Sequence, residues 1–426
     1  MNKFKITLLA LLMSCFSSAY AIQLTAESEL HGFVSQSFVY SPDNAYAGTN
    51  TNTGSFDFRE IGLNGAWEIN ENFRVTGQVL SRKVGESADG SLQIDFLLMD
   101  YLAHSTAESN FGVRLGRVKN AIGLYNSTRD IPTARPGLAV PSSIYFDSFR
   151  DTILSTDGVN LYGSYFAESG TLSWEVSSGV SGLESEVMED YLFGTEVEPG
   201  ELDKVRLSGL KVDFSPNKAP GLLMGVSVLK VGFNLDDAQT TEEAYSKAVA
   251  ASGGDSTNIG LIQQEIYQNI GNYVTSTELD SLVGVLYAQY AYQDWVFSVE
   301  YLNIYTDLTI GIVGDLVTEQ TTSEAFYLQS EWFFRENMSA LVRYEELYLD
   351  ADDRDGSDKP RAADSYYAYG KGLTFGLSWD FQESWRLVGQ VGINEGTVWL
   401  PVSLQDEQAV LKRDWNTYML QLSYQF

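Results

Sequence analysis

The chain has 426 residues, with 27 basic against 57 acidic side chains for a net charge of −30, one cysteine (Cys15) and two histidines (His31 and His104). This inventory excludes disulfide frameworks, zinc clusters and most histidine-based catalysis, so neither a metal nor a cofactor is expected. The acidic excess repels a phosphate backbone, so no nucleic-acid partner is expected. A hydrophobic fraction of 44% with 20% charged residues argues against disorder, and aromatics are plentiful at 25 Tyr, 22 Phe and 8 Trp.

The N-terminus reads as a secretory signal over 1–21. Asn2, Lys3, Phe4 and Lys5 give a basic start, Ile6 to Met13 an apolar core, and Ala19-Tyr20-Ala21 a small-x-small cleavage site. A lipoprotein signal ending at Cys15 is the competing reading, but Met13 suits that motif poorly. Removing Lys3 and Lys5 leaves 25 basic against 57 acidic residues, a mature net of −32, in a single expected domain over 22–426.

From there the chain alternates with a period of two, which gives each segment one apolar and one polar face. Trp385, Leu387, Gly389 and Val391 alternate with Arg386, Val388, Gln390 and Gly392, and Tyr418, Leu420, Leu422, Tyr424 and Phe426 with Met419, Gln421, Ser423 and Gln425. Sixteen such runs are expected: 29–41, 55–69, 73–84, 92–105, 110–120, 157–167, 170–181, 204–215, 221–234, 280–293, 295–308, 323–335, 338–350, 367–381, 385–396 and 415–426. Most are longer than the five or six residues usual in soluble sheets, and a tilted strand crossing a bilayer needs about nine to eleven.

The connections alternate too. Short turns fall at Asn70-Glu71-Asn72, Glu168-Ser169, Gln293-Asp294, Glu336-Asn337 and Gln382-Glu383-Ser384, whereas long connections are expected at 42–54, 121–156, 182–203, 235–279, 309–322, 351–366 and 397–414. Short turns at one end and long loops at the other, over an even strand number, is the layout of an all-β transmembrane antiparallel barrel of an outer membrane. A soluble sandwich has no reason to gather its long loops at one end. In a bilayer the sheet must close, its outward face must be apolar, and Tyr and Trp belong at the rims. Trp67, Trp174, Trp295, Trp332, Trp379, Trp385 and Trp415 all lie in or at the ends of expected strands.

With sixteen strands and a last strand ending Tyr424-Gln425-Phe426, the chain resembles the trimeric Gram-negative porins, general and phosphate-selective. That resemblance implies a homotrimer in the outer membrane, in contact with its lipid and lipopolysaccharide, passing small hydrophilic solutes or anions. Tyr424 and Phe426 are similar to the signal read by the barrel-assembly machinery. The stretch Gly116, Arg117, Val118, Lys119, Asn120, Ala121, Ile122, Gly123 resembles the entry to an inward-folded third external loop that narrows the pore.

A sixteen-strand barrel is wide enough for an aqueous channel, so something must constrict it. Residues 114–150 hold Arg114, Arg117, Lys119, Arg129, Arg135 and Arg150 against only Asp130 and Asp147, a local +4 in a strongly acidic chain. By alternation Arg74, Gln78, Arg82, Arg114 and Arg343 also face the lumen. A ring of cations in a narrow mouth would favour anions. The alternative is that these arginines pair with local acids, such as Arg129 with Asp130, and pin the loop. Pro132, Pro136 and Pro141 stiffen it, and Tyr145, Phe146 and Phe149 are expected to anchor it.

Three further stretches carry weaker signals. The 182–203 loop, rich in acids from Glu184 to Asp203, reads as a solvated outer surface or as a divalent-cation bridge to lipopolysaccharide. Thr240 and Glu243 have capping-box spacing, and Ile262, Ile266 and Ile270 recur at helical spacing, so the fifth loop is expected to be partly helical, as a lid or a subunit contact. Asp350 to Asp358 fails as a calcium loop, because alignment on Gly356 puts Ala351 at the first ligand position. Three function classes remain: a passive channel, a barrel enzyme and a surface receptor or adhesin working through its acidic loops. The enzyme class lacks a nucleophile and base, since His31 and His104 both lie in strands.

Overall fold

The computed structural model describes residues 22–25, 27–48, 51–147, 150–182, 204–235, 238–358, 364–400 and 410–426. The expected signal, Phe149 and nearly all of the 182–203 loop lie outside them. Sixteen strands form one antiparallel sheet: β1 (Ser28–Tyr40), β2 (Ser55–Asn70), β3 (Phe73–Val84), β4 (Ala88–Ser105), β5 (Ser109–Lys119), β6 (Ser155–Ala167), β7 (Gly170–Gly182) and β8 (Lys204–Pro216). The second half comprises β9 (Leu222–Asn234), β10 (Val274–Tyr292), β11 (Trp295–Ile312), β12 (Asp315–Arg335), β13 (Met338–Tyr348), β14 (Tyr369–Gln382), β15 (Trp385–Gly396) and β16 (Asp414–Gln425). A four-residue strand, Ile22–Thr25, pairs with the start of β1. Consecutive strands pair throughout, and β16 pairs with β1 from Tyr418 opposite Tyr40 to Gln425 opposite Phe33, which closes the barrel. Closure is what lets a sheet satisfy its backbone groups in hydrocarbon.

The period-two pattern becomes two walls. Leu286, Leu328, Leu377 and Leu420 are exposed outward while Glu300, Gln329, Thr374 and Gln421, on the opposite parity of their strands or of neighbours, are buried. At the short-turn end the outward aromatics form a belt: Phe73 against Tyr101, Phe111 against Trp174, Trp295 stacked on Trp332 at 5.4 Å, and Trp379, Phe381, Trp385, Tyr424 and Phe426 in succession. Such a girdle suits the membrane–water boundary. Trp415 departs from this expectation. It turns inward, buried with Leu400 and Leu411, and donates from Nε1 to Gly396 O.

Phe426 sits on the closing seam. Its N–H donates to Gly32 O at 2.9 Å, its carbonyl accepts from Gly32 N at 3.0 Å, and its ring occupies the space a Cβ on Gly32 would take.

The expected loop 309–322 is instead strand. β11 and β12 continue to a two-residue turn at Val313 (φ 50) and Gly314 (φ 90), the positive-φ pair of a tight hairpin. β-branched residues hold the extension, with Thr309 and Thr318 hydroxyls 3.0 Å apart across it. β10 likewise starts at Val274, six residues before the expected strand. The fifth loop is helical as expected, with α1 (Arg150–Ile153) preceding it in the chain and α2 (Thr241–Ala251) and α3 (Ile259–Gln268) within it. Thr240 caps α2 through the reciprocal bonds of the capping box, and Ala248, Ile262 and Tyr273 pack the helices together beside Ile312 and Val313 at the hairpin tip.

Candidate channel constriction

The segment 120–154 leaves β5 and returns to β6. Up to the short α1 its sequence keeps it irregular: Pro132 opens a single 3-10 turn, Pro141 O accepts from Ile144 and Tyr145, and Gly123 takes φ 54 where a side chain would run into Glu300 and Tyr145. The segment lies against the inward face of strands around most of the ring. Ser227 of β9 accepts from Gly123 N at 3.0 Å, and Glu300 of β11 accepts from Leu124 N at 2.8 Å and from the Tyr145 hydroxyl at 2.8 Å. Glu345 of β13 accepts from Ser143 N at 2.9 Å, Gln390 of β15 from Leu138 N at 3.1 Å. Lys211, Arg343 and Arg386 donate to the carbonyls of Gly123, Ala139 and Thr133. The partners' strands range from β8 to β15.

Apolar packing reinforces these bonds on one side. Val205, Leu207, Leu229, Val231 and Phe233 point inward from β8 and β9 and enclose Ile122, Tyr125, Val140, Ile144 and Tyr145. The same strands turn Arg206 and Lys230 outward, bound to Asn234 and Asp280.

On the opposite side charges meet. Arg82 pairs with Asp147 at 2.6 Å and Glu60 at 3.6 Å, Arg129 with Asp147 at 3.3 Å, and Arg135 with Glu60. Next to them Lys119 bridges Asp95 at 2.9 Å and Asp130 at 2.8 Å, while Arg150 holds Asp130, Asp95 and Asp151. Asp95 reaches this group because a bulge in β4 inserts it between the residues paired to Gln78 and Val79. Five cations thus meet four wall or loop acids (Glu60, Asp95, Asp130, Asp147), with Asp151 at the margin. A cavity of about 100 Å³ lies among Glu60, Arg82, Arg129, Arg135 and Asp147.

Burial and pairing compete in the loop's ionisation. Burial pulls the Arg129 guanidinium down to about 10 against the pull of Asp147 and Asp130. Burial would raise the Asp147 carboxyl, but Arg82 and Arg129 outweigh it and hold it at about 2. Asp130 is held further below the ordinary carboxylate range, since Arg150 and Lys119 override its burial, and Arg150 is raised in turn by Asp130 and Asp151 despite its own burial.

The expected site residues therefore divide. Arg82, Lys119, Arg129, Asp130, Arg135 and Asp147 come together. Arg343 is buried on the inner wall, bonded to Glu345 at 3.1 Å. Arg74 and Arg114 form a second group nearer the short turns: Asp100 takes Arg74 at 3.1 Å and Arg114 at 3.7 Å, Glu175 takes Arg114 at 3.2 Å, and the Arg114 guanidinium lies 4.0 Å over the Tyr162 ring. Arg74, 48% exposed, is the most accessible cation of the expected set. Arg117 stands apart. It lies opposite Leu97 in the exposed apolar row and pairs with Asp157 at 3.3 Å. Glu60, Asp95, Glu300 and Glu345 were not among the expected residues; lone acids on the inward parity of otherwise apolar runs were their only signal.

The closed sheet, apolar outside and polar inside, with a long segment laid on its inner face, defines a porin-like outer-membrane barrel. No protein-family model matches the chain, and no curated protein matches it. Among solved structures, it is similar to OmpT of Vibrio cholerae (TM-score 0.53, 12% identity, covering 96% of this chain and 100% of that one). It is also similar to the outer membrane channel DcaP of Acinetobacter baumannii (TM-score 0.53, 10% identity, 96% and 100% covered) and to an anion-selective porin from Comamonas acidovorans (0.51, 9%, 94% and 99%). At such identities the likeness is one of fold.

Proposed function

We propose that the protein is an outer-membrane porin, a water-filled channel for passive diffusion of small hydrophilic solutes and ions, with no enzymatic role. The observation that carries this reading is the segment 120–154 bonded to the inward polar wall of a closed sixteen-strand barrel. A barrel that only displayed loops outward would have no use for a stiffened segment within it. Anion preference is the finer part of the proposal, and we take it to be weak. The loop arginines are nearly balanced by Glu60, Asp95, Asp130 and Asp147, so they act first as braces and leave little free positive charge. Arg74 and Arg114, nearer the short turns, are balanced in the same way by Asp100 and Glu175.

We further propose export by a signal cleaved before Ile22, assembly through Tyr424 and Phe426 by the barrel-assembly machinery, and a homotrimer in contact with lipopolysaccharide. Mass spectrometry should find Ile22 as the first residue, where an acylated Cys15 would overturn the leader reading. Electrophoresis with and without heating should show a trimer that heat dissociates. Liposome swelling with graded sugars and organic acids tests the channel: uptake that falls with solute size is expected, and impermeability of vesicles holding assembled barrel would refute it.

A further inference from the structure

β11 and β12 do not end where the neighbouring wall ends. β13 takes up β12 only at Glu324, opposite Tyr348, so residues 315–323 pair with β11 on one side alone. At roughly 3.4 Å per residue, that open edge runs for about 30 Å. The ladder fixes which backbone groups are spare. Ile312 and Asp315 flank the two-residue turn and exchange the narrow pair of hydrogen bonds, so Asp315, Val317 and Glu319 bond toward β11. Leu316, Thr318, Gln320 and Thr322 therefore aim N–H and C=O away from it. Thr322 bears out the parity, since its carbonyl accepts from Ala351 N at 2.7 Å, and Ser323 Oγ donates to Leu349 O at 2.8 Å. Further toward the tip, among the described residues, no backbone bond reaches Leu316, Thr318 or Gln320 from the open side. Residues 315–320 are all exposed, Leu316 at 71% and Val317 at 53%.

A bare strand edge templates pairing with another chain, and proteins usually blunt it with proline, lysine or a bulge. Here none of the three is used. Residues 315–323 contain no Pro, Gly, Lys or Arg, and the β11–β12 register runs unbroken from Trp295 opposite Trp332 to Ile312 opposite Asp315. Val317, Thr318, Thr321 and Thr322 are β-branched, which suits an extended backbone. The edge is also held in place from its tip. Val313 N donates to Tyr273 O at 3.2 Å, and Ile312 and Val313 pack beside Ala248, Ile262 and Tyr273. A Cβ on Gly314 would stand 2.8 Å from Thr241 Cγ2, so the turn rests directly on the start of α2. A strand ordered before binding loses less conformational entropy when a partner adds to it.

Charge decides what can pair there. The hairpin carries Asp307, Asp315 and Glu319, and from 248 to 334 the chain holds eleven acidic residues and no Lys or Arg. A second copy of this strand would bring acid toward acid, which destabilises a ladder. We propose that residues 316–320 are a strand-addition site for an extended, cationic segment of another polypeptide, one that alternates Lys or Arg with β-branched residues. Its backbone bonds to the N–H and C=O of Leu316, Thr318 and Gln320 and supplies affinity. Its cations lie on the face that Asp315 and Glu319 share and supply selectivity. The hairpin stands at the long-loop end, the external side for a barrel of this layout. The site rests on the outer-membrane reading but not on channel activity, so conductance of the wild-type protein tests that reading separately.

The test uses the purified, assembled full chain in mild detergent and a fluorescent heptapeptide, Thr-Lys-Val-Thr-Val-Lys-Thr, with anisotropy reading binding. One control peptide carries glutamate in place of both lysines, and the other has N-methylated backbone amides. The wild type should bind the lysine peptide and bind each control about tenfold more weakly or worse. Residue-resolved hydrogen exchange should show the bound peptide newly protecting the amides of Leu316, Thr318 and Gln320. Those of Val317 and Glu319, already bonded to β11, should not change. Thr318→Pro removes an N–H that the hairpin does not use, at an edge where proline is tolerated, and should abolish binding with assembly intact. D315N/E319Q should lose about tenfold in affinity, and added salt should weaken the wild-type complex. Equal binding of the N-methylated peptide by the wild type would overturn the proposal without any variant. So would equal binding of the glutamate peptide, or bound peptide that leaves Leu316, Thr318 and Gln320 unprotected. Barrel that ignores the lysine peptide but self-associates, with the added mass lost in Thr318→Pro, would assign the edge to a second copy instead.

Discussion

Arg150→Gln is the sharpest perturbation of the braced segment. Arg150 and Lys119 face Asp95 and Asp130 in a quartet whose side chains are only 5%, 11%, 2% and 2% exposed. Removing the guanidinium leaves two buried carboxylates sharing one ammonium, and breaking a buried pair by removing one partner costs about 3–5 kcal/mol. Expressed as the ratio of attached to detached segment, that is a factor of roughly 10² to nearly 10⁴. Hydrogen exchange on the assembled barrel reads it directly. Amides at 120 and 150–154, which close the segment through Asn120 N to Leu154 O and Leu154 N to Arg150 O, should exchange much faster, while β5 and β6 stay protected. Adding Asp130→Asn should restore most of the protection, because Lys119 and Asp95 at 2.9 Å then remain as a balanced pair. Unchanged exchange in a well-assembled Arg150→Gln protein would refute the bracing argument, and failure of the double variant to recover would show that charge balance is not its cause.

Deleting Phe426, or placing Val at Gly32, should lower the amount of assembled barrel far more than synthesis, since both break the seam where their backbones exchange hydrogen bonds; heat-modifiable mobility in membrane fractions measures it. Asp147 is held at about 2 and Asp130 lower still, so their stabilisation is complete above the ordinary carboxylate pKa near 4 and is lost as pH falls toward about 2. Exchange of 120–154 should therefore stay slow down to about pH 4 and accelerate below it, modestly for Asp147, which is 41% exposed. Arg129→Glu with Arg135→Glu reverses two charges beside the cavity and should move the zero-current potential in a salt gradient toward cations, most at low ionic strength. A well-assembled double variant with an unaltered potential would remove these residues from the ion path.

The strands and turns were legible because alternation is a physical property of a wall with lipid on one side, and it holds for β1, β15 and β16 from sequence alone. The rule assumes a wet interior, and it fails where the interior is packed: Val205, Leu207, Leu229, Val231 and Phe233 face inward onto the segment, and alternation assigns them to lipid. The β11–β12 extension was read as loop because Thr, Glu and Gln occupy both its faces once it leaves the membrane. Of the basic window 114–150, Lys119, Arg129, Arg135 and Arg150 meet acids at the inner wall, whereas Arg114 joins a second group and Arg117 turns to the outer wall. The wall acids could not be found by proximity in sequence, because Glu60 meets Arg135 across 75 residues and Glu300 meets Tyr145 across 155. Asp95 was further concealed by the bulge that turns it inward.

Single-channel recording in planar bilayers tests the central claim most directly. Purified barrel should insert in discrete, roughly ohmic steps, with a small zero-current potential in a salt gradient and conductance that rises when Arg150→Gln loosens the segment from the wall. Heat-modifiable, correctly assembled protein that inserts without conducting would contradict the channel reading and leave the barrel with a role on its outer surface alone.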